Sequence, residues 1–435
     1  MPSQSLGSSY TYADPYLSLW QSAARVALSE EVIRAEDQAA DLMAPVQRVH
    51  HMASLGVDST AVLESEVEPE GVVKDCADIA AKFLWAEITR NHARSQFFRD
   101  ELAKAICDAG GWSTCLATYL KFKAEGGNWP YRSNVDAVFP LNGPVVAVVG
   151  DWGTGEHLAS TVLQEIKKFS PNLFIHLGDI YYSGTQNETR TNFLSICEDI
   201  LGKGMPVFSL CGNHDMYSGG SGYYWLVDQL GQKASYFCIR SPQWQILAMD
   251  TGHDDRDPFT VATNMTKIAA TEEAWLKDKI ETADRRHTIL LSHHQLFSAF
   301  APVGRVDGKE YAYNPNLYRS FEGILNRIEW WFWGHEHNLA VYKPYMGLRR
   351  GRCIGCSAVP VLMSQQSYTL RKDLKTWRTA GYPSWRSEAE LGNNGTDYNH
   401  AFAILTLKEH TGTAEYYEVQ VRGSASPMLK EAIEF

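Results

Sequence analysis

Carboxylate, amide and imidazole side chains recur in five short motifs along this chain: Asp151-Trp152-Gly153, Gly178-Asp179-Ile180-Tyr181-Tyr182, Gly212-Asn213-His214-Asp215, Ser292-His293-His294 and Gly334-His335-Glu336-His337. Oxygen donors mixed with imidazoles suit divalent and trivalent cations, and a carboxylate shared by two ions about 3.5–4 Å apart makes a clamp for phosphoryl oxygens. Asp151 and Asp179 are the carboxylates on offer, and Asn213 adds a neutral amide oxygen. His293, His335 and His337 supply imidazoles. In an extended Gly334–His337 segment the i, i+2 spacing sends both rings to one side. His214 stands beside a ligand position and is a candidate acid or base, with Asp215 or Asp179 expected to orient it.

Each motif follows a short apolar run, namely Val145–Val149, Leu173–Leu177, Val207–Leu210, Thr288–Leu291 or Trp330–Trp333, and a further run covers Gln245–Met249. Gly, Pro or Asn bounds most of these runs, and helical periodicity over Ala159–Phe169 and Thr271–Ala283 separates several of them. Strands alternating with helices predict an α/β layered domain whose ligands gather at strand carboxyl ends. Met363–His400 lacks periodicity and reads as a long surface loop. Ala401–Leu407 and Glu415–Val421 alternate as a closing two-stranded hairpin would.

The N-terminal third has a different pattern. After a Ser- and Tyr-rich start, apolar residues recur at three and four from Tyr16 to Leu28 and again from Ala81 to Ile106, where Gly110-Gly111 ends the pattern. The expected organisation is a helical domain over residues 1–140 and a catalytic domain over residues 141–435. The helical part carries no catalytic constellation, and it is expected to cover the site or to form a homo-oligomer surface.

At 435 residues and 44% apolar composition the chain can bury ordinary cores, and its net charge of -11 disfavours capture of nucleic acid or anionic membrane. No run of eighteen apolar residues and no basic-then-apolar leader is seen, so a cytoplasmic protein is the expectation. The eight cysteines form no disulfide scaffold. Cys353 and Cys356 lack the second pair that a zinc site would need.

The motif order resembles the calcineurin-like metallophosphoesterase superfamily from about Leu141 onward. That resemblance implies a layered β-sandwich flanked by helices and a two-metal site. Most of the superfamily begins with Asp-x-His, but here Gly153 stands in the His position. Purple acid phosphatases, including the tartrate-resistant kind, pair Asp-x-Gly with Gly-Asp-x-x-Tyr, which matches Gly153 and Tyr182. The resemblance therefore implies iron held by Asp151, Asp179, Tyr182 and His337, with Fe, Zn or Mn held by Asp179, Asn213, His293 and His335. Strand alternation is expected to point Tyr181 the other way.

Two departures qualify the likeness. Gln295 occupies the Pro position that marks His293 rather than His294 as the ligand, and Leu296–Glu310 has no His where the purple enzymes carry a substrate contact. Arg305 and Lys309 are the cations of that segment. The expected activity is hydrolysis of a small phosphate monoester by hydroxide generated at the metal pair, with His214 protonating the leaving alkoxide. Alternatives are a phosphodiesterase or nucleotide pyrophosphatase and, in another class, a regulatory or scaffolding protein with a relic metal domain. The signature Gly-Asp-x-Val-Asp-Arg-Gly of the protein Ser/Thr phosphatases is absent.

Overall fold

The computed structural model describes residues 125–435, apart from residues 259, 262, 362, 364, 365, 396, 421 and 422, together with Arg94, Cys115, Thr118, Tyr119 and residues 121–123. The helical pattern read over the N-terminal third therefore lies almost wholly outside the described residues. By its internal contacts the chain divides into residues 1–128 with 258–260, and residues 129–257 with 261–435. All five motifs fall in the second unit.

That second unit is built on two large sheets. One has six strands: β2 (Val145–Val149), β3 (Leu173–His176), β4 (Val207–Ser209), β13 (His400–Leu407), β14 (Thr411–Val419) and β15 (Ala425–Glu434), in the order β15-β14-β13-β2-β3-β4. The other has seven: β1 (Val138–Pro140), β5 (Phe237–Arg240), β6 (Trp244–Ala248), β7 (His287–Leu291), β10 (Ile328–Trp333), β11 (Leu339–Val341) and β12 (Gly351–Ile354), ordered β1-β5-β6-β7-β10-β12-β11. A separate hairpin pairs β8 (Gly304–Val306) with β9 (Lys309–Tyr311). β1 lies before residue 141 and pairs in parallel with β5, so the layered unit begins upstream of Leu141.

Period-two alternation explains the layering. On β2, Val146 and Val148 enter the large core with Ile246, Leu290 and Phe332 from the other sheet, while Ala147 and Val149 face Val162, Leu163 and Ile166 of helix α1 (His157–Lys167). β3 repeats this, with Leu173 and Ile175 to one side and Phe174 to the other. The result is a β-sandwich with helices outside it, of the metallophosphoesterase type expected from the sequence. β2, β3 and β4 run parallel in one sheet, as do β6, β7, β10 and β12 in the other. Their carboxyl ends deliver the motif loops of both sheets.

Residues 366–399 contain a single short 3-10 turn, Ser387–Ala389, among the described positions, and Trp377 and Trp385 pack against the core as anchors. The closing hairpin gains a third strand. β15 has Pro427 and mixed charges, which hide its period, and the β14–β15 register shifts at Tyr416/Tyr417, where Pro427 cannot donate to the ladder. Among the described residues no helix is long and apolar enough to cross a membrane.

The two sheets are also tied by charge. Arg352 on β12 is 3% exposed, and its guanidinium pairs with both carboxylate oxygens of Glu431 on β15. Its remaining donors reach the Tyr342 and Gly351 carbonyls, and Tyr416 donates its hydroxyl to Glu431. Glu431→Ala leaves a buried guanidinium unpaired and should destabilise this unit by about 3–5 kcal/mol. Denaturant midpoints measure this, and the Arg352→Met/Glu431→Leu double variant should recover most of the loss.

Candidate metal centre

Asp151 and Asp179 leave the ends of β2 and β3 inside the protein, at 0% and 1% exposure. Among the described residues their ion-pair partners are histidines alone: His337 Nε2 lies 3.3 Å from Asp151 Oδ1 and His293 Nε2 3.4 Å from Asp179 Oδ2. Two carboxylates buried this deeply without Lys or Arg are costly unless cations neutralise them. One oxygen each of Asp151 and Asp179 and a His293 ring nitrogen lie within 4.8 Å of one another.

Asn213 follows β4 and brings the remaining imidazoles together. Its Oδ1 is 3.0 Å from His293 Nε2 and 2.9 Å from His335 Nδ1. The His335 backbone donates to Asp151 Oδ2 at 2.8 Å, which locks the loop after β10 onto the loop after β2. Asp151, Asp179 and His335 all have left-handed backbones, with φ of 53°, 75° and 65°. Such conformations are uncommon for residues other than glycine and cluster where surrounding structure enforces a functional geometry.

Two glycines make room for this packing. A Cβ on Gly212 would collide with Asp179 Oδ1. A Cβ on Gly153 would lie 2.9 Å from the Asp179 carbonyl oxygen and 2.9 Å from Ile180 Cα, since Gly153 bridges to Ile180. Any larger side chain at that position would have to push these backbone atoms aside.

The phenol that reaches this cluster is that of Tyr181, not of Tyr182. The Tyr181 hydroxyl donates to Asp151 Oδ1 at 3.0 Å and lies 3.4 Å from Asp179 Oδ2 and 3.2 Å from His337 Nε2. The expectation from alternation is overturned because Tyr181–Ser183 form a turn rather than a strand, and the Tyr182 N–H is drawn onto Glu188 Oε1 at 2.6 Å. Tyr182 packs at the edge of a cluster with Tyr181, Val359 and Val361. Burial, and then the charges of Asp151 and Asp179, hold the Tyr181 phenol protonated well above its usual range. A bound cation would reverse that preference.

His293 and His294 separate cleanly. The His294 backbone donates to Thr251 Oγ1 at 3.0 Å, its Nδ1 lies 2.9 Å from the same oxygen, and its Nε2 lies 3.1 Å from Asp255 Oδ2. Both ring nitrogens are thus engaged, although a ring nitrogen of His294 comes within 4.8 Å of those of His293 and His335. His293 Nδ1 meets the Leu177 carbonyl at 3.0 Å, which leaves Nε2 toward Asn213 and Asp179. Burial alone would lower its pKa, but the Asp179 charge and hydrogen bond, with Asp151, raise it to about 9. Thr251 and Asp255 follow β6, the one further apolar run identified in the sequence, so strand-end position was the signal that could have found them.

His214 lies between the tilted rings of Tyr181 and Tyr217, with ring centroids 4.5 and 4.9 Å away. Its Nδ1 meets the Tyr182 carbonyl at 2.8 Å, so proton exchange would run through Nε2. The expected orienting role of Asp215 does not hold. Asp215 Oδ2 instead accepts from the Gly212 and Asp179 backbones at 2.8 and 3.1 Å, bracing the two metal loops together. Burial, reinforced by the Asp179 charge, raises its carboxyl to about 8. Asp179 does touch His214, but through the backbone N–H at 3.0 Å. Arg305 is paired with Glu310 and lines, with Lys309, Asp373 and Lys375, a cleft that contains none of these residues.

The donor set therefore fits two cations. His293→Ala should lose at least one equivalent of bound metal while His294→Ala retains both, as measured by metal analysis of purified protein. Loss from His294→Ala alone would reverse the assignment.

Residues 144–339 match the family described as calcineurin-like phosphoesterase. No curated protein matches the chain in sequence. Similar solved structures include a purple acid phosphatase from yellow lupin (Lupinus luteus) at 13% identity and TM-score 0.44, covering 68% of this chain and 55% of that one. The match thus spans about half the lupin protein. Others are a dimetal phosphatase from Danio rerio at 12% identity and TM-score 0.42, covering 66% and 99%, and Plasmodium GAP50, the anchor in the inner membrane complex, at 13% and 0.43, covering 67% and 89%. These likenesses are too distant to bear on function. Residues 144–339, which contain the whole motif set from Asp151 to His337, therefore carry a calcineurin-like phosphoesterase domain.

Proposed function

We propose that this protein hydrolyses phosphate monoesters of small molecules at a pair of metal ions, the first held by Asp151, Asp179, Tyr181 and His337 and the second by Asp179, Asn213, His293 and His335. The observation that carries this reading is the convergence of these donors, from five strand ends, on two buried carboxylates whose ion-pair partners are histidines. When bound, the cations acidify water and neutralise charge on the phosphoryl oxygens. The protein's own residues do the rest. Asp179, braced by Asp215 and the His214 backbone, holds the two ion positions in register. His214, with Nδ1 committed to the Tyr182 carbonyl, passes a proton from Nε2 to the departing alkoxide.

A phenol at the first position favours a hard trivalent ion, and we assign iron there, with Fe, Zn or Mn at the second position. A second reading, hydrolysis of diesters or pyrophosphates, is supported by the lack of histidine in Leu296–Glu310 and by the engagement of Arg305 with Glu310. A substrate panel separates the two. Absence of turnover on all three classes by protein holding two equivalents of metal would overturn the enzymatic reading in favour of a relic domain in a regulatory or scaffolding protein.

Iron-loaded, oxidised protein should show a visible tyrosinate-to-iron charge-transfer band that Tyr181→Phe abolishes and Tyr182→Phe preserves. A colourless iron-replete protein would remove iron from the assignment. His214→Ala should keep both metal equivalents and lose about 10²–10⁴-fold in turnover of esters with poor leaving groups, and much less with activated aryl esters. An equal loss on both would exclude the role of general acid.

A further inference from the structure

Asn213 has to present its amide in one orientation. The two ends of an amide are alike in size and opposite in chemistry, one oxygen acceptor against two N–H donors, and only the oxygen can serve a cation. Here the oxygen end lies between His293 Nε2 and His335 Nδ1. The nitrogen end donates to the hydroxyl of Tyr217 at 2.7 Å. Asn213 and Tyr217 are 1% and 0% exposed, so water cannot replace that acceptor.

We propose that Tyr217 is a positioning residue for the second metal site, an inference that rests on the assignment of Asn213 as a ligand. Its hydroxyl takes up the amide N–H that would otherwise be stranded when the amide oxygen faces the imidazoles. Without it, the productive orientation leaves a buried donor unsatisfied, and the amide is free to turn its nitrogen toward the cation position. The hydrogen bond also works in the other direction. A carbonyl polarised by a cation makes its own N–H a stronger donor, and the phenol oxygen is placed to accept it. The ring of Tyr217 has a separate task, packing on His214 at 4.9 Å, and phenylalanine would preserve it. Tyr217 follows the 3-10 turn His214–Met216 that begins at Asn213, so one turn of chain couples the ligand, the proton donor and their support.

The test is zinc titration by calorimetry of the full chain stripped of metal by chelation. Wild-type protein should take up two equivalents. Tyr217→Phe should bind one of them about 10–100-fold more weakly and the other unchanged, the usual cost of losing an outer partner of a ligand. Excess zinc should restore turnover. Asn213→Asp supplies the control, because a carboxylate offers an oxygen at either end: in that background Tyr217→Phe should change zinc affinity by no more than about threefold. Unchanged zinc affinity in Tyr217→Phe, an equal weakening at both sites, or the same loss in the Asn213→Asp background would overturn the inference. A wild-type protein that binds no zinc or other divalent metal would instead overturn the ligand assignment beneath it.

Discussion

Two carboxylates buried without a lysine or arginine are the constraint on which this unit depends. Asp151 and Asp179 meet imidazoles, a phenol and backbone N–H groups. None of these supplies a fixed positive charge. Burial would push Asp179 toward neutrality, and nearby His293 and His214 hold it well below its ordinary value instead. Bound cations would neutralise both carboxylates directly.

The sandwich exists in a form that makes this convergence attainable. Parallel strands from each sheet end at the same side, so β2, β3 and β4 bring oxygen donors from one layer while β7 and β10 bring imidazoles from the other. Close approach of these loops is sustained by strained backbone at three of the donors and by glycine at Gly153 and Gly212. Strain of this kind persists only in a rigid setting. The setting here is a core of fully buried tryptophans on β6 and β10, with Arg352 and Glu431 joining the two sheets.

Around the donors lies a second layer of groups that hold rather than bind. Asp215 gathers two backbone N–H groups, Thr251 and Asp255 occupy both nitrogens of His294, and Tyr217 accepts from Asn213. Glu336 sits between two imidazoles yet turns away to Ser298 and Asn338, and burial raises its carboxyl to about 7. Asp215 holds the loops that carry Asp179 and Asn213, and Tyr217 holds the nitrogen end of the Asn213 amide. Outer partners of this kind account for much of the affinity of a metal site.

The order of residue types along the chain was enough to determine the chemistry: carboxylate, carboxylate, amide and three imidazoles, each after an apolar run, are legible because period and composition are local properties. The α/β layering was legible for the same reason and the sandwich only through the resemblance of the motifs, while β15 was not legible, since a proline and mixed charge on an edge strand erase its period. Tertiary structure alone decided between neighbours. Tyr181 rather than Tyr182 enters the centre because a turn replaces the strand that alternation assumed. His293 faces the donors because Thr251 and Asp255 claim His294, and the Tyr182 carbonyl, in place of Asp215, orients His214. The first choice is made by a turn held to nearby Glu188 and the other two by hydrogen bonds between residues far apart in sequence, and a sequence carries the residue types but not the directions in which their lone pairs point.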